Sequence, residues 1–93
     1  MAKFTTRVEL HAADDDDYDD LHGYMAEEGF SRTIDASDGK TYRLPPAEYD
    51  REDDVSRSTV LADAKRAAKK TGRDYAILVT ESDGRTWHGL EEI

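Results

Sequence analysis

The sequence contains no cysteine among its 93 residues. Without thiols, neither a disulfide framework nor a thiolate metal site can form, and the absence fits a reducing compartment. No apolar run approaches the roughly 18 residues that a membrane span needs. The first ten residues, MAKFTTRVEL, lack the apolar stretch of a signal peptide. We therefore expect a soluble, cytoplasmic protein that makes no membrane contact.

Basic residues are also scarce, because 13 lysines and arginines stand against 22 aspartates and glutamates, giving a net charge of −9. An evenly acidic surface would repel phosphate backbones, which argues against general binding to duplex nucleic acid. The charges are instead clustered: acidic segments span 14–20 and 48–54, and basic residues gather at 65–73. We therefore expect charges of opposite sign to be segregated onto two helices, leaving a strongly polarised surface.

The chain length indicates a single domain over 1–93, because globular domains usually contain about 50 to 250 residues. Hydrophobic residues make up 37% of the chain and charged residues 38%, which lies close to the composition of disordered proteins. Periodic apolar segments nevertheless predict that the chain folds.

Apolar periodicity and turn signals divide the chain into seven elements. Residues 3–10 alternate between apolar and polar side chains, which predicts a half-buried strand. A cap at Asp14 or Asp15 and a stop at Gly29 bound a first helix over 15–28. The further predicted elements are strands over 30–35 and 40–44 joined by a turn at 37–39, an acidic loop at 50–55, a second helix from Ser56 or Ser58 to Gly72, and strands over 75–80 and 85–90 joined by a turn at 82–84.

This order predicts an α+β fold of the ferredoxin-like type. It is a β-α-β-β-α-β sandwich with an antiparallel sheet, two helices on one face and an extra C-terminal strand. The strand over 75–80 is apolar on both faces, and the ferredoxin-like order puts it at a sheet edge. Since an uncovered apolar edge invites association, we expect the last hairpin or a second subunit to cover it. The protein is therefore predicted to form a homodimer.

One internal similarity accompanies this order. The hexapeptide SDGKTY at 37–42 recurs as SDGRTW at 82–87, each after a helix, a glycine and a strand. Asp-Gly is a favoured hairpin turn, so the similarity reflects either turn chemistry or an internal repeat.

Few patterns in the sequence point to a ligand or a reaction. The aspartates of 14–20 lack the spacing of a calcium loop and diverge around a helix, and we predict no metal site and no cofactor. Arg32 shares strand parity with Phe30 and Ile34. An arginine on an otherwise apolar sheet face, with Tyr42 and Arg43 across the hairpin, is a pattern of RNA-binding sheets. The alternative is that Arg32 forms salt bridges with nearby aspartates.

The basic cluster on the second helix opposes the charge of the whole chain. It suits RNA phosphates or an acidic protein partner, although lysines on the solvent face of a helix are also commonplace. Its members are Lys65, Arg66, Lys69, Lys70 and Arg73.

The stretch GFSRTIDASDGKTYRLP, which follows a strand and an acidic helix, resembles the GhoS family of small bacterial proteins. The similarity covers roughly residues 3–50. It implies a ferredoxin-like fold similar to the CRISPR-associated adaptation nuclease, and the activity of a type V antitoxin that cleaves the messenger RNA of a membrane toxin. Arginines of the family's first helix are associated with RNA cleavage, and an ungapped match puts those positions on Asp20 and His22. The resemblance thus makes His22 the candidate catalytic residue, as acid, base or cation.

Two other hypotheses compete with an RNA-binding or RNA-cleaving protein. Clustered carboxylates can mimic a phosphate track, so the chain could be a non-enzymatic, phage- or plasmid-borne inhibitor of a nucleic-acid-binding defence complex, of the anti-CRISPR type. The third hypothesis is a dimeric adaptor module. The acidic partner face of the inhibitor hypothesis comprises Asp15, Asp16, Asp19 and Asp20.

Overall fold

The computed structural model of the protein describes residues 1–93 and contains two helices and six strands. Neither helix is long and apolar enough to cross a membrane. The elements are β1 Ala2–Leu10, α1 Asp15–Glu27, β2 Thr33–Asp35, β3 Thr41–Arg43, β4 Glu48–Asp53, α2 Arg57–Lys69, β5 Tyr75–Ser82 and β6 Glu91–Glu92.

The main sheet has the order β4-β1-β5, and both outer strands run antiparallel to β1. An isolated antiparallel bridge between Ser31 and Asp50 places the segment before β2 on the far side of β4. Each helix therefore connects two strands that have another strand between them, which is the arrangement of the ferredoxin-like fold. The predicted α+β fold class is confirmed.

The core lies between this sheet and the two helices. On β1, Phe4, Val8 and Leu10 are buried together with Thr6, as the alternation predicted. Helix α1 contributes Leu21 and Met25 to the core. Helix α2 contributes mainly small side chains, which allow close approach to the sheet; they are Val60, Ala64, Ala67 and Ala68.

The helix caps are formed by side chains that the sequence signals. Asp14 is the N-cap of α1, where it accepts a hydrogen bond from the Asp17 backbone N–H (3.0 Å) and completes a capping box. Ser56 caps α2 by accepting from the Thr59 backbone N–H at 3.2 Å. Gly29 follows α1 with φ of +93°, a conformation that favours glycine.

The predicted acidic loop at 50–55 is wrong, because most of this segment belongs to β4. Its acidic side chains alternate with two inward residues, Tyr49 and Arg51, which are both buried. Arg51 forms ion pairs with Asp63 at 2.7 Å and Asp53 at 3.0 Å, and its guanidinium lies 5.1 Å from the Phe30 ring centroid. An inward arginine obscures the apolar alternation of a strand, and tertiary ion pairs make its burial tolerable.

The predicted final strand over 85–90 is also wrong. Residues 85–90 form no regular strand, and only β6 pairs, with β3 of the small sheet β2-β3-β6. Arg85 instead contacts Asp50 and donates to Thr5 Oγ1 at 3.3 Å, and Trp87 packs on Tyr42 with ring centroids 5.5 Å apart. These contacts draw the C-terminal segment away from β5, so the last hairpin does not cover the β5 edge.

Candidate functional site

His22 and Tyr49 meet between α1 and β4. The His22 Nδ1 atom lies 2.6 Å from the Tyr49 hydroxyl oxygen, and the ring centroids are 5.7 Å apart. Tyr49 is fully buried, with an edge-on Phe30 ring 6.4 Å away, whereas His22 is half-buried. A side chain on the helix is thus held by a hydroxyl from the sheet, so the orientation of the imidazole is fixed.

The protonation states of this pair follow from its burial. Burial raises the pKa of Tyr49 far above its ordinary value of 10.0, so the phenol keeps its proton. His22 is the only hydrogen-bond partner of that hydroxyl. Because the buried phenol proton has no other acceptor in the protein, we assign it as donated to Nδ1, and the neutral imidazole then carries its own hydrogen on Nε2. Burial, and after it the positive charge of Arg32, lower the pKa of His22 below 6.5, against the opposing effect of Asp19. His22 is thus neutral at neutral pH.

Arg32 lies beside this pair without a carboxylate partner. Its charge acts on the pKa values of both His22 and Tyr49. The Arg32 Nε atom is buried and has no hydrogen-bond partner among the protein's atoms. A sheltered guanidinium normally requires an ion pair or hydrogen bonds to offset its lost hydration. The expected alternative, salt bridges with nearby aspartates, is therefore not what the structure contains.

Arg32 stands apart from the other basic residues that lack an ion pair. Eight of the 13 lysines and arginines have a carboxylate oxygen within 4.0 Å. Those without one, other than Arg32, are all exposed to solvent, which hydrates them; they are Lys3, Arg43, Lys65 and Lys69. Arg32 is the one sheltered cation of the protein that has no carboxylate oxygen within 4.0 Å.

We call His22, Arg32 and Tyr49 the His-Arg-Tyr site. It presents an imidazole N–H and a guanidinium, both hydrogen-bond donors, and the guanidinium carries the positive charge. Two such donors suit an anion with several oxygen atoms, such as a phosphate group. The site contains no residue arrangement that would activate a nucleophile, and no group of three or more His, Cys, Asp or Glu side chains in the protein is placed to hold a metal ion.

The sequence singled out His22 and Arg32 separately, and the fold brings them together. Tyr49 was missed, because it lies within the segment predicted to be an acidic loop. A signal was present: Tyr49 is the single aromatic residue within the acidic segment 48–54, and it alternates with charged neighbours. Arg43 lies outside the site, exposed at the end of β3, where it pairs in register with Thr33 and Glu91.

The basic cluster does not form a separate positive face. Arg66 pairs with Glu28 at 3.1 Å, Lys70 with Glu27 at 3.5 Å, and Arg73 with Asp17 at 3.0 Å. These ion pairs tie α2 and the loop after it to α1. The expectation that opposite charges are segregated onto the two helices is therefore wrong, because α2 neutralises part of α1.

The acidic face keeps its charge despite these ion pairs. Its four aspartates are exposed and have no cationic partner within 4.0 Å. Their spacing along α1 places them on one side of the helix, since residues four apart lie one above the other. They are Asp15, Asp16, Asp19 and Asp20.

Comparisons with known proteins give no relative for this chain: no family model, no curated protein and no solved structure matches it. The resemblance to the GhoS family accordingly stays a prediction from the sequence.

Proposed function

We propose that this protein is an RNA-binding regulator of the GhoS-like antitoxin type, in which Arg32 and His22 hold a phosphate of single-stranded RNA in the cytoplasm. The observation that carries the proposal is the uncompensated charge of Arg32, whose Nε is buried without a partner. A chain with 22 acidic residues has ample carboxylates to neutralise an arginine. The absence of a carboxylate partner at Arg32 therefore supports an anionic ligand from outside the chain.

The donors of the site fit a phosphodiester. Arg32 offers the planar, permanently charged guanidinium that suits two phosphate oxygens. The Tyr49 hydroxyl fixes His22 so that its Nε2–H can donate a second hydrogen bond. Arg43 is exposed on β3 and pairs in register with Thr33, the residue after Arg32. It offers a further contact to the phosphate backbone of an extended RNA strand. Single-stranded RNA is favoured over duplex because the net charge of −9 repels the dense charge of a duplex.

The chemistry favours binding over cleavage at neutral pH. Cleavage of RNA requires a group that releases a proton to the leaving oxygen. Neutral His22 is a weak acid, because the low pKa of its imidazolium leaves it unprotonated near pH 7. Protonation in acid would make His22 a second cation and a competent acid beside Arg32. Any metal-independent cleavage should therefore increase as the pH falls below 6.5.

Fluorescence anisotropy with a labelled single-stranded RNA tests the proposal. Arg32→Ala should weaken binding by roughly tenfold or more, as expected for loss of a charge-assisted phosphate contact. The matched control is Arg57→Ala, which removes an exposed arginine at the start of α2 that contacts Glu81 of β5. Gel analysis of the same RNA in a chelator would reveal cleavage. Equal binding by wild type and Arg32→Ala, with both folded by circular dichroism, would contradict the proposal.

A second candidate function is that of a non-enzymatic inhibitor of a nucleic-acid-binding defence complex. It is favoured by the four exposed, unpaired aspartates of the acidic face. Such a row of carboxylates suits the basic groove of a nucleic-acid-binding protein. The test is displacement of target DNA from a purified CRISPR effector complex. Neutralising the four aspartates with asparagine should abolish displacement, whereas Glu52→Gln with Asp54→Asn, on another exposed part of the surface, should not. Displacement that survives the fourfold substitution would eliminate this candidate.

A further inference from the structure

The outer edge of the main sheet is open along β5. This strand pairs with β1 on one side and with nothing on the other. Over residues 75–80 it carries no charged residue and no proline, the usual features that protect a sheet edge from association. Its backbone N–H and C=O groups on the open side therefore form a row of donors and acceptors ready to pair with another strand.

Exposed apolar side chains concentrate at this same edge. Large hydrophobic residues are exposed at only four positions, and Met1 and Ile93 are the chain ends. The other two are Leu78 on β5, whose exposed fraction is 64%, and Leu61 on α2, whose exposed fraction is 38%. Leu78 lies on the helix-free face of the strand, where its neighbours Ala76 and Thr80 are also exposed.

Leu61 lies on the side of α2 that overlooks the β5 edge. Arg57, one helical turn before it, lies 4.0 Å from Glu81 of β5. Arg66 and Lys70, on the opposite side of α2, pair with residues of α1. Residues four apart share a side of a helix, so Leu61 follows Arg57 toward β5. Apolar side chains thus flank the open strand both on the helix layer and on the opposite face of the sheet.

We propose that this edge pairs antiparallel with the same edge of a second copy of the chain, about a two-fold axis at Leu78. A strand that pairs with itself in this way is self-complementary, as a two-fold interface requires. The axis puts Leu78 opposite its own counterpart and Tyr75 opposite Glu81 of the second copy. The two main sheets become one continuous six-stranded sheet.

The charges around the axis support a second copy as the occupant. Glu81 pairs in register with Phe4, so it lies on the helix side of the sheet. Lys65 and Lys69 lie toward the Tyr75 end of the same layer and have no carboxylate partner in their own chain. The proposed register brings Glu81 of the second copy toward those lysines. The acidic face is on α1, which lies on the β4 side of the sheet, so the negative charges of the two copies stay apart.

Analytical ultracentrifugation from micromolar to millimolar concentration tests the interface. The wild type should dimerise, and Leu78→Lys should weaken dimerisation by roughly tenfold or more, because it places two like charges at the axis. Ile93→Lys is the matched control, since Ile93 has a similar exposed fraction of 60% but lies beside the small sheet, where its backbone N–H donates to the Thr41 carbonyl at 2.9 Å. A wild type that stays monomeric, or a dimer that Leu78→Lys leaves intact, would overturn the proposal.

Because the chain has no cysteine, a single introduced thiol tests the register as well. Oxidised Leu78→Cys should form a covalent dimer, whereas Ile93→Cys should do so much less efficiently. Circular dichroism melting of each variant separates loss of pairing from loss of folding. Equal cross-linking by the two variants would refute the axis at Leu78. Neither measurement depends on whether the His-Arg-Tyr site binds RNA.

Discussion

Replacement of Arg51 by methionine tests whether residues 48–53 form a strand that buries the side chain of Arg51. Arg51 is 9% exposed and lies 2.7 Å from Asp63 of α2, whose side chain is 14% exposed. Methionine keeps the apolar stem against Phe30 but removes the guanidinium. Asp63 would retain only Arg66, which is itself 58% exposed. The variant therefore leaves a sheltered carboxylate with a weaker partner.

The expected cost follows from the burial of the pair. Removal of one member of a buried ion pair typically costs about 3–5 kcal/mol, because the other charge stays buried. The second partner of Asp63 reduces this, so we expect the free energy of unfolding to fall by about 2–3 kcal/mol. For a domain of this size each kcal/mol corresponds to about 4–8 °C in Tm. Additional replacement of Asp63 by leucine should recover about 1–2 kcal/mol of that loss.

Urea unfolding followed by circular dichroism measures these values for the wild type, Arg51→Met, Asp63→Leu and the double variant. Arg57→Met is the control, because Arg57 is 72% exposed and its ion pair with Glu81 spans 4.0 Å. Exposed pairs contribute at most about 1 kcal/mol, so this variant should unfold almost as the wild type does. An Arg51→Met protein as stable as Arg57→Met would refute the burial of Arg51 and the strand that depends on it.

Three further outcomes follow from the site and the helices. Arg32→Gln should raise the pKa of His22 and Asp19→Asn should lower it, because the charges of these neighbours act in opposite directions; NMR titration of the imidazole C–H measures both. The pKa of His22 is lower in the folded than in the unfolded chain. Neutral His22 therefore contributes its full stabilisation above pH 6.5, and this contribution is lost as the pH falls below that value. The free energy of unfolding of His22→Gln should decline less than that of the wild type over this range. Ser56→Ala removes the α2 cap and should cost about 1 kcal/mol in urea unfolding. Ser58→Ala keeps the cap and removes only an exposed hydroxyl contact to Ser56, so it should cost less than about 0.5 kcal/mol.

The elements that the sequence predicts well are those whose pattern is set by the chain's own apolar residues. The alternation of β1 and the spacing of Leu21 and Met25 on α1 lead directly to the observed burial. Strand β4 could not be predicted from apolar periodicity, because one of its two inward residues is the charged Arg51. Its burial depends on Asp63, which is 12 residues away in sequence. Sequence periodicity cannot include a partner that only the tertiary fold supplies.

The two similar hexapeptides also show that local sequence alone does not determine the conformation of a segment. SDGKTY leads into β3, which pairs with β2 in a hairpin closed by the Ala36 N–H donating to the Lys40 carbonyl at 2.8 Å. SDGRTW follows β5 but forms no hairpin. The difference lies in Arg85, which contacts Asp50 across the sheet, and in Trp87, which packs on Tyr42. Local turn chemistry is equal in the two segments, so tertiary contacts decide their conformations.

The His-Arg-Tyr site depends on the strand order, which puts an α1 side chain against a β4 side chain that is 27 residues away. Sequence analysis could select His22 and Arg32 as residue types, but their proximity follows only once β4 is recognised beside the segment that contains Arg32. The bridge between Ser31 and Asp50 sets this proximity. The mistaken loop at 50–55 therefore concealed Tyr49 and, with it, the contact that fixes the orientation of His22.

The sheltered arginines differ in whether a carboxylate contacts them, and this difference supports an anionic ligand at the His-Arg-Tyr site. Arg51 and Arg85, whose side chains are 9% and 20% exposed, each contact at least one carboxylate. Arg32 is half-buried in the same acidic chain and contacts none. Scarcity of carboxylates cannot explain this, since acidic residues outnumber basic ones by nine. An uncompensated cation lowers stability, and strained or unsatisfied groups of this kind are typical of sites that bind a ligand of opposite charge. An anion that enters beside His22 would supply the missing partner.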